Sequence, residues 1–143
     1  MSRPGRNRLI WVMFALYLLA LLWLMFFARI GGQTVGQINF RPFQTLSRYF
    51  WVLRHSADDT LRGNALANLV GNVALFIPLG MLLPMLFPAL RRFWRFFLLA
   101  VLLILALETA QLATGLGTMD VDDLLLNLPG ALMGFGTWHL LKQ

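Results

Sequence analysis

The residues of this chain that could do chemistry are its six acids and a handful of side-chain amides, and they fall at short spacings. Asn68 and Asn72 stand four apart, Glu108 and Gln111 three apart, and Asp120, Asp122, Asp123 and Asn127 follow in close succession. Three- and four-residue separations put side chains on one face of a helix. Carboxylate and amide oxygens suit a hard cation such as Mg²⁺ or Ca²⁺, with Glu108, Asp120 and Asp123 as candidate ligands. A cation held there could bridge to the phosphate of a lipid headgroup. Proton relay through Glu108 and acid–base chemistry on a substrate are further options, although no serine, cysteine or histidine nucleophile belongs to the set. With no cysteine in the chain, disulfides and thiolate metal sites are excluded. His55 and His139 lie far from the set in sequence. The competing reading makes the amides interhelical hydrogen-bond glue, each worth about 0.6 kcal/mol, and the aspartates helix caps. Glue rarely needs this many acids, so the set reads as a site.

The elements that must position these residues are membrane spans. Of 143 residues 59% are hydrophobic and 13% charged, with mean hydropathy +0.70, whereas a soluble domain is about half apolar and a quarter charged. The net charge of +6 comes from arginines beside apolar segments rather than on a polar face, which argues against nucleic acid and for membrane topology. Four apolar runs follow: about 9–28, 66–90, 96–113 and 124–141, the first of them about one hydrocarbon core long. The first run exceeds a signal-peptide core and lacks a small-x-small cleavage site, so it reads as an uncleaved anchor. Pro78, Pro84 and Pro88 predict kinks in the second run or at its end. Gly130 and Gly134 predict a close helix approach in the fourth, and a surface that could support a homo-oligomer. Phe43, Leu46, Phe50 and Leu53 recur at helical spacing among arginines, which predicts a short amphipathic helix over about 42–55 in the first outer loop. The expected fold is therefore all-α: a four-helix transmembrane bundle with that interfacial segment, in a single domain over 1–143.

Orientation comes from basic residues near the span ends. Arg3, Arg6, Arg8, Arg91, Arg92, Arg95 and Lys142 fall on one side, which predicts a cytoplasmic (inner) membrane protein with both termini cytoplasmic. In that topology the Asn68–Asn72 pair, the Glu108–Gln111 pair and the Asp120 to Asn127 stretch all reach the outer level. Reversing any one span would carry its polar residues to the opposite leaflet. An acid within an apolar span costs about 2.5 to 3.5 kcal/mol, so Glu108 must face a partner or a wet cavity.

The stretch Asn68-Leu-Val-Gly-Asn72 through Pro78-Leu-Gly80, then Glu108-x-x-Gln111, then Asp120-Val-Asp122-Asp123 through Asn127-Leu-Pro-Gly130 resembles the VanZ-like membrane proteins in motif order and spacing. Asn39-Phe-Arg-Pro42-Phe43 resembles that family's outer-loop element. Many members carry an arginine three residues before the first aspartate of the last motif, where this chain has Gly117. The resemblance implies a bacterial cell-envelope protein, the name-giving members being associated with teicoplanin resistance, and it supplies no reaction. The leading expectation is an outer-leaflet polar pocket formed by Glu108, Asp120, Asp123, Asn68, Asn72, Gln111 and Asn127, binding an anionic lipid or cell-wall precursor headgroup. The alternatives are a membrane enzyme acting on a lipid-linked phosphate or sugar with a carboxylate-held metal, a small-ion path, and an assembly partner in which the polar set only packs.

Overall fold

The computed structural model describes residues 4–27, 38–116 and 119–142. Gly117, the last residue of the expected first span, Ala28, and Arg29 after it lie outside them. Five helices carry the chain: α1 (Pro4–Phe26), α2 (Gln44–His55), α3 (Asp59–Leu86), α4 (Phe93–Ala113) and α5 (Val121–Leu141). A 3₁₀ turn, Pro88–Arg91, links α3 to α4. Two two-residue strands, β1 (Ile38–Asn39) and β2 (Met119–Asp120), pair in parallel. Among the described residues α1, α3, α4 and α5 are long and apolar enough to cross a membrane, and the chain is a multi-pass, all-α membrane protein. The helix expected over 42–55 is α2, with Thr45 and Tyr49 facing inward and Phe50 and Trp51 exposed.

The second of the long apolar helices, α3, starts earlier than hydropathy predicts, at Asp59 rather than near residue 66. Asp58 explains the difference, because its carboxylate accepts from the Thr60 and Leu61 N–H groups and caps the helix in a polar stretch that a hydropathy window discards. Pro78 and Pro84 sit inside α3 without ending it, since apolar burial on both sides holds the helix through the lost hydrogen bonds. Near its far end Arg91 donates from Nε to the Pro84 carbonyl at 3.2 Å, supplying a donor to the closing turns.

The core is the crossing of α3 with α5. A Cβ on Gly130 would stand 2.1 Å from the Val73 carbonyl oxygen, one on Gly134 1.9 Å from that of Ile77, and one on Gly80 1.9 Å from that of Ala131. The two backbones touch, as small residues permit in a membrane where packing rather than water exclusion drives association. The Gly130 and Gly134 surface expected to support an oligomer is therefore filled by the chain's own α3. Phe76, Leu79, Leu83, Phe96, Ala100, Ile104, Ala131, Phe135 and Trp138 complete the core. The first helix is more loosely held: Tyr17 donates its hydroxyl to the Leu75 carbonyl at 2.7 Å, Trp11 stacks edge-on against Phe87, and its other large side chains are mostly exposed.

Candidate functional site

The start of α5 and the segment leading into α2 are held together by two aspartates. Asp120 caps α5 by accepting from the Asp122 N–H at 2.9 Å through Oδ1, which also accepts from Asn39 Nδ2 at 3.2 Å. Its Oδ2 accepts the Thr45 hydroxyl at 2.5 Å. Asp122, wholly buried, accepts from the Phe43 N–H at 2.6 Å, the Thr45 N–H at 2.7 Å and the Leu46 N–H at 3.1 Å. Those donors are the N-terminal amides of α2, whose own N-cap residue, Phe43, supplies no side-chain cap. A carboxylate from α5 thus occupies the anion-binding end of another helix. Phe43 reaches that geometry at φ 64, a left-handed conformation a phenylalanine rarely adopts. The β1–β2 pairing, Ile38 with Met119 and Asn39 with Asp120, adds backbone bonds to the same junction.

Beneath it lies a second group. Asp123 accepts from Asn72 Nδ2 at 2.8 Å, joining α5 to α3. Glu108, near the end of α4, is 2% exposed; its carboxyl faces the Asp120 backbone N–H and has Asp123 and Asp120 as charged neighbours. Its Oε2 has no hydrogen-bond partner, and neither does Oδ1 of the buried Asn127. Among the described residues the ion pair is Arg62 with Asp59 at 3.8 Å, and no arginine or lysine pairs with Glu108, Asp120, Asp122 or Asp123. Four acids are gathered with backbone and side-chain donors but without a countercharge. A buried acceptor without a donor forfeits the hydrogen bonds it had in water, so such groups in native proteins call for a specific explanation.

Of the residues expected to converge, Glu108, Asp120, Asp123 and Asn72 do so. Asn68 instead donates to the Asn64 carbonyl one turn back in its own helix. Gln111 donates to the Met25 carbonyl at 2.7 Å and ties α4 to α1, a glue role of the kind weighed for the amides. Asn127 is buried one turn below Asp123. The sequence left Asp122, Asn39 and Thr45 out of the candidate set, although Asp122 accepts as many hydrogen bonds in the junction as Asp120 does. The available signal was the joint occurrence of the Asn39-to-Phe43 and Asp120-to-Asp123 motifs, which turn out to bind each other.

Among the described residues no three acidic or imidazole side chains are gathered as a metal's ligand set. The lone pairs of Asp120 are directed at Asn39, Thr45 and the Asp122 N–H, and those of Asp122 at three amides, so a cation would compete with six hydrogen bonds of the fold for them. Acceptor capacity is left on Glu108, with Asp123 beside it, and on Oδ1 of Asn127. What this arrangement can do is receive a hydrogen-bond donor or a positive charge; a bare phosphate would meet four carboxylates.

A search of the curated proteins and a search of the solved structures give no match. The model of the VanZ/LLP1 family matches residues 14–142, which takes in the later part of α1, the whole of α3, α4 and α5 and both halves of the polar junction, and the chain belongs to that family.

Proposed function

We propose that this protein receives the headgroup of an envelope lipid or cell-wall precursor at the acidic ends of α3, α4 and α5, through the headgroup's ammonium, amide or hydroxyl donors. The observation that carries the reading is the buried Glu108 carboxyl with an unpartnered Oε2, among acids that find no countercharge among the described residues. Glu108 is the acceptor, Asp123 its neighbour, and Asn72 holds Asp123 in place from α3. Asp120 and Asp122 shape the site by fixing the segment from Asn39 to Leu46 above it. In this reading the acidic end is the outer face of the cytoplasmic membrane, both termini are cytoplasmic, and α2 lies at the headgroup level with Phe50 and Trp51 toward lipid. A headgroup phosphate enters only with a divalent cation to offset the acids.

The test is native mass spectrometry of the purified protein with an envelope-lipid extract, run with and without Mg²⁺ or Ca²⁺. Wild type is expected to retain a lipid adduct that a Glu108→Gln, Asp123→Asn double variant loses. An adduct that persists equally in both would sink the proposal; one that needs the added cation assigns the bridging form. Teicoplanin tolerance of a host expressing the chain is the corresponding phenotype, and on this reading it falls with the same double substitution.

A further inference from the structure

All six acids of the chain lie at one end of the molecule: Asp58 and Asp59 at the start of α3, Glu108 near the end of α4, and Asp120, Asp122 and Asp123 around the start of α5. Among the described residues the charged side chains at the opposite end are all cations. Arg8 on α1, Arg91 in the 3₁₀ turn, Arg92 and Arg95 at the start of α4, and Lys142 after α5 are all exposed there. Ring contacts bring these elements together. Trp11 and Phe87, with centroids 5.5 Å apart, seat the early turns of α1 against the 3₁₀ turn, and Phe93 and Phe135, at 6.1 Å, seat the start of α4 against the last turns of α5. The cations therefore ring one end of the bundle rather than scatter along the chain.

Topology alone needs charge at this end; it does not need the charges to be held. Arg91 is held, its Nε bonded to the Pro84 carbonyl, and Lys142 is drawn over the Trp138 ring, with Nζ 5.2 Å from the centroid. Fixing one edge of a guanidinium leaves its terminal N–H fork free while removing part of the entropy that binding would otherwise cost. Among the described residues no side-chain carboxylate at this end competes for the fork. Exposed Trp94 and Phe93 flank Arg92 and Arg95 with the ring surface that settles at the level of lipid headgroups.

We propose that this basic rim binds the phosphates of anionic phospholipids in the leaflet it faces, with Arg91, Arg92 and Arg95 as the contacts. Planar guanidinium groups match phosphate oxygens two at a time. A net-negative headgroup is favoured over a zwitterionic one because the rim offers no anion to meet a headgroup cation. Near an anionic surface each such cation is worth about fivefold in affinity, so three together make a preference of tenfold or more.

The experiment is native mass spectrometry of the full chain in mixed micelles holding equal phosphatidylglycerol and phosphatidylcholine. Wild type is expected to retain phosphatidylglycerol preferentially, and an R91Q/R92Q/R95Q variant to lose that preference by about tenfold or more. An R41Q/R48Q/R54Q variant, altered at the acidic end, is expected to keep it. Should the triple variant at the rim lose helix content, R92Q/R95Q, which leaves the Arg91 bond intact, takes its place with a proportionately smaller loss. Equal retention of the two lipids by wild type, an undiminished preference in the rim variant, or an equal loss in the R41Q/R48Q/R54Q variant would each overturn the proposal. Running each arm also in the Glu108→Gln, Asp123→Asn background removes any headgroup held at the other end, so the failure of one proposal is distinguishable from the failure of the other.

Discussion

The two ends of the bundle handle charge in opposite ways. At the acidic end, Asp58 and Asp59 stay exposed at the start of α3, but the carboxylates around the start of α5 are turned inward and met by donors brought from distant parts of the chain: Asn39, Thr45 and the amides of Phe43, Thr45 and Leu46 for Asp120 and Asp122, and Asn72 for Asp123. At the basic end the cations are exposed, and the internal partners of Arg91 and Lys142 are a carbonyl and a ring. Charge at the first end is fold, apart from the unanswered acceptor of Glu108. Charge at the second is surface. The difference follows from donor supply, because a buried carboxylate can be satisfied by backbone N–H groups at a helix start, whereas an arginine with five N–H donors is more easily satisfied by phosphate or water.

The largest effect that can break this comparison comes from the crossing that joins the ends. Gly134→Ala places a methyl group where the Ile77 carbonyl oxygen now stands, so α3 and α5 must part; a loss of about 3 kcal/mol or more is expected in a denaturant titration in detergent. A variant as stable as wild type would show that the helices do not cross this closely. Next is Asp122→Ala, which strips the acceptor from three amides and uncaps α2. A loss of about 2 to 3 kcal/mol is expected, with α2 amides exchanging faster than those of α3, and unchanged exchange would contradict the assignment of this acid to fold.

Glu108→Gln separates the unanswered acid from its neighbours: stability is expected to stay within about 1 kcal/mol of wild type while lipid retention falls, because Oε2 has no partner to lose. A loss as large as that of Asp122→Ala would make Glu108 part of the fold instead. The smallest effect is Arg62→Ala. Its pairing with Asp59 spans 3.8 Å between exposed side chains, and a shift in melting temperature beyond the scatter of replicates would be a surprise.

The membrane helices were legible from apolar length, and the meeting of Glu108, Asp123 and Asn72 from their positions along spans that alternate in direction, α3 and α5 running one way and α4 the other, since both depend on period and direction alone. The early start of α3 was not, because Asp58, Asp59, Arg62, Gly63 and Asn64 make a polar stretch in which a capped helix and a loop look alike. Nor was the division of labour among Asp120, Asp122 and Asp123. Three acids at a helix start all satisfy the rule for caps and dipoles; which one turns toward α2 depends on where the outer segment docks, a contact between residues 79 apart. Asn68 was misjudged for a related reason. Its place on the same face as Asn72 put it in reach of the site, but the Asn64 carbonyl within its own helix was nearer.

The capping of α2 by Asp122 also sets an order of events during synthesis. A helix of 12 residues is marginal on its own, and the acceptor for its first amides emerges 79 residues after the Phe43 amide it must meet. The segment carrying α2 has therefore to wait, unpaired, while two more long helices, α3 and α4, are made. A ribosome stalled before α5 would leave Phe43 without the carboxylate that holds its left-handed turn, so the segment carrying α2 becomes fully held only once α5 has begun, although it is made before α3.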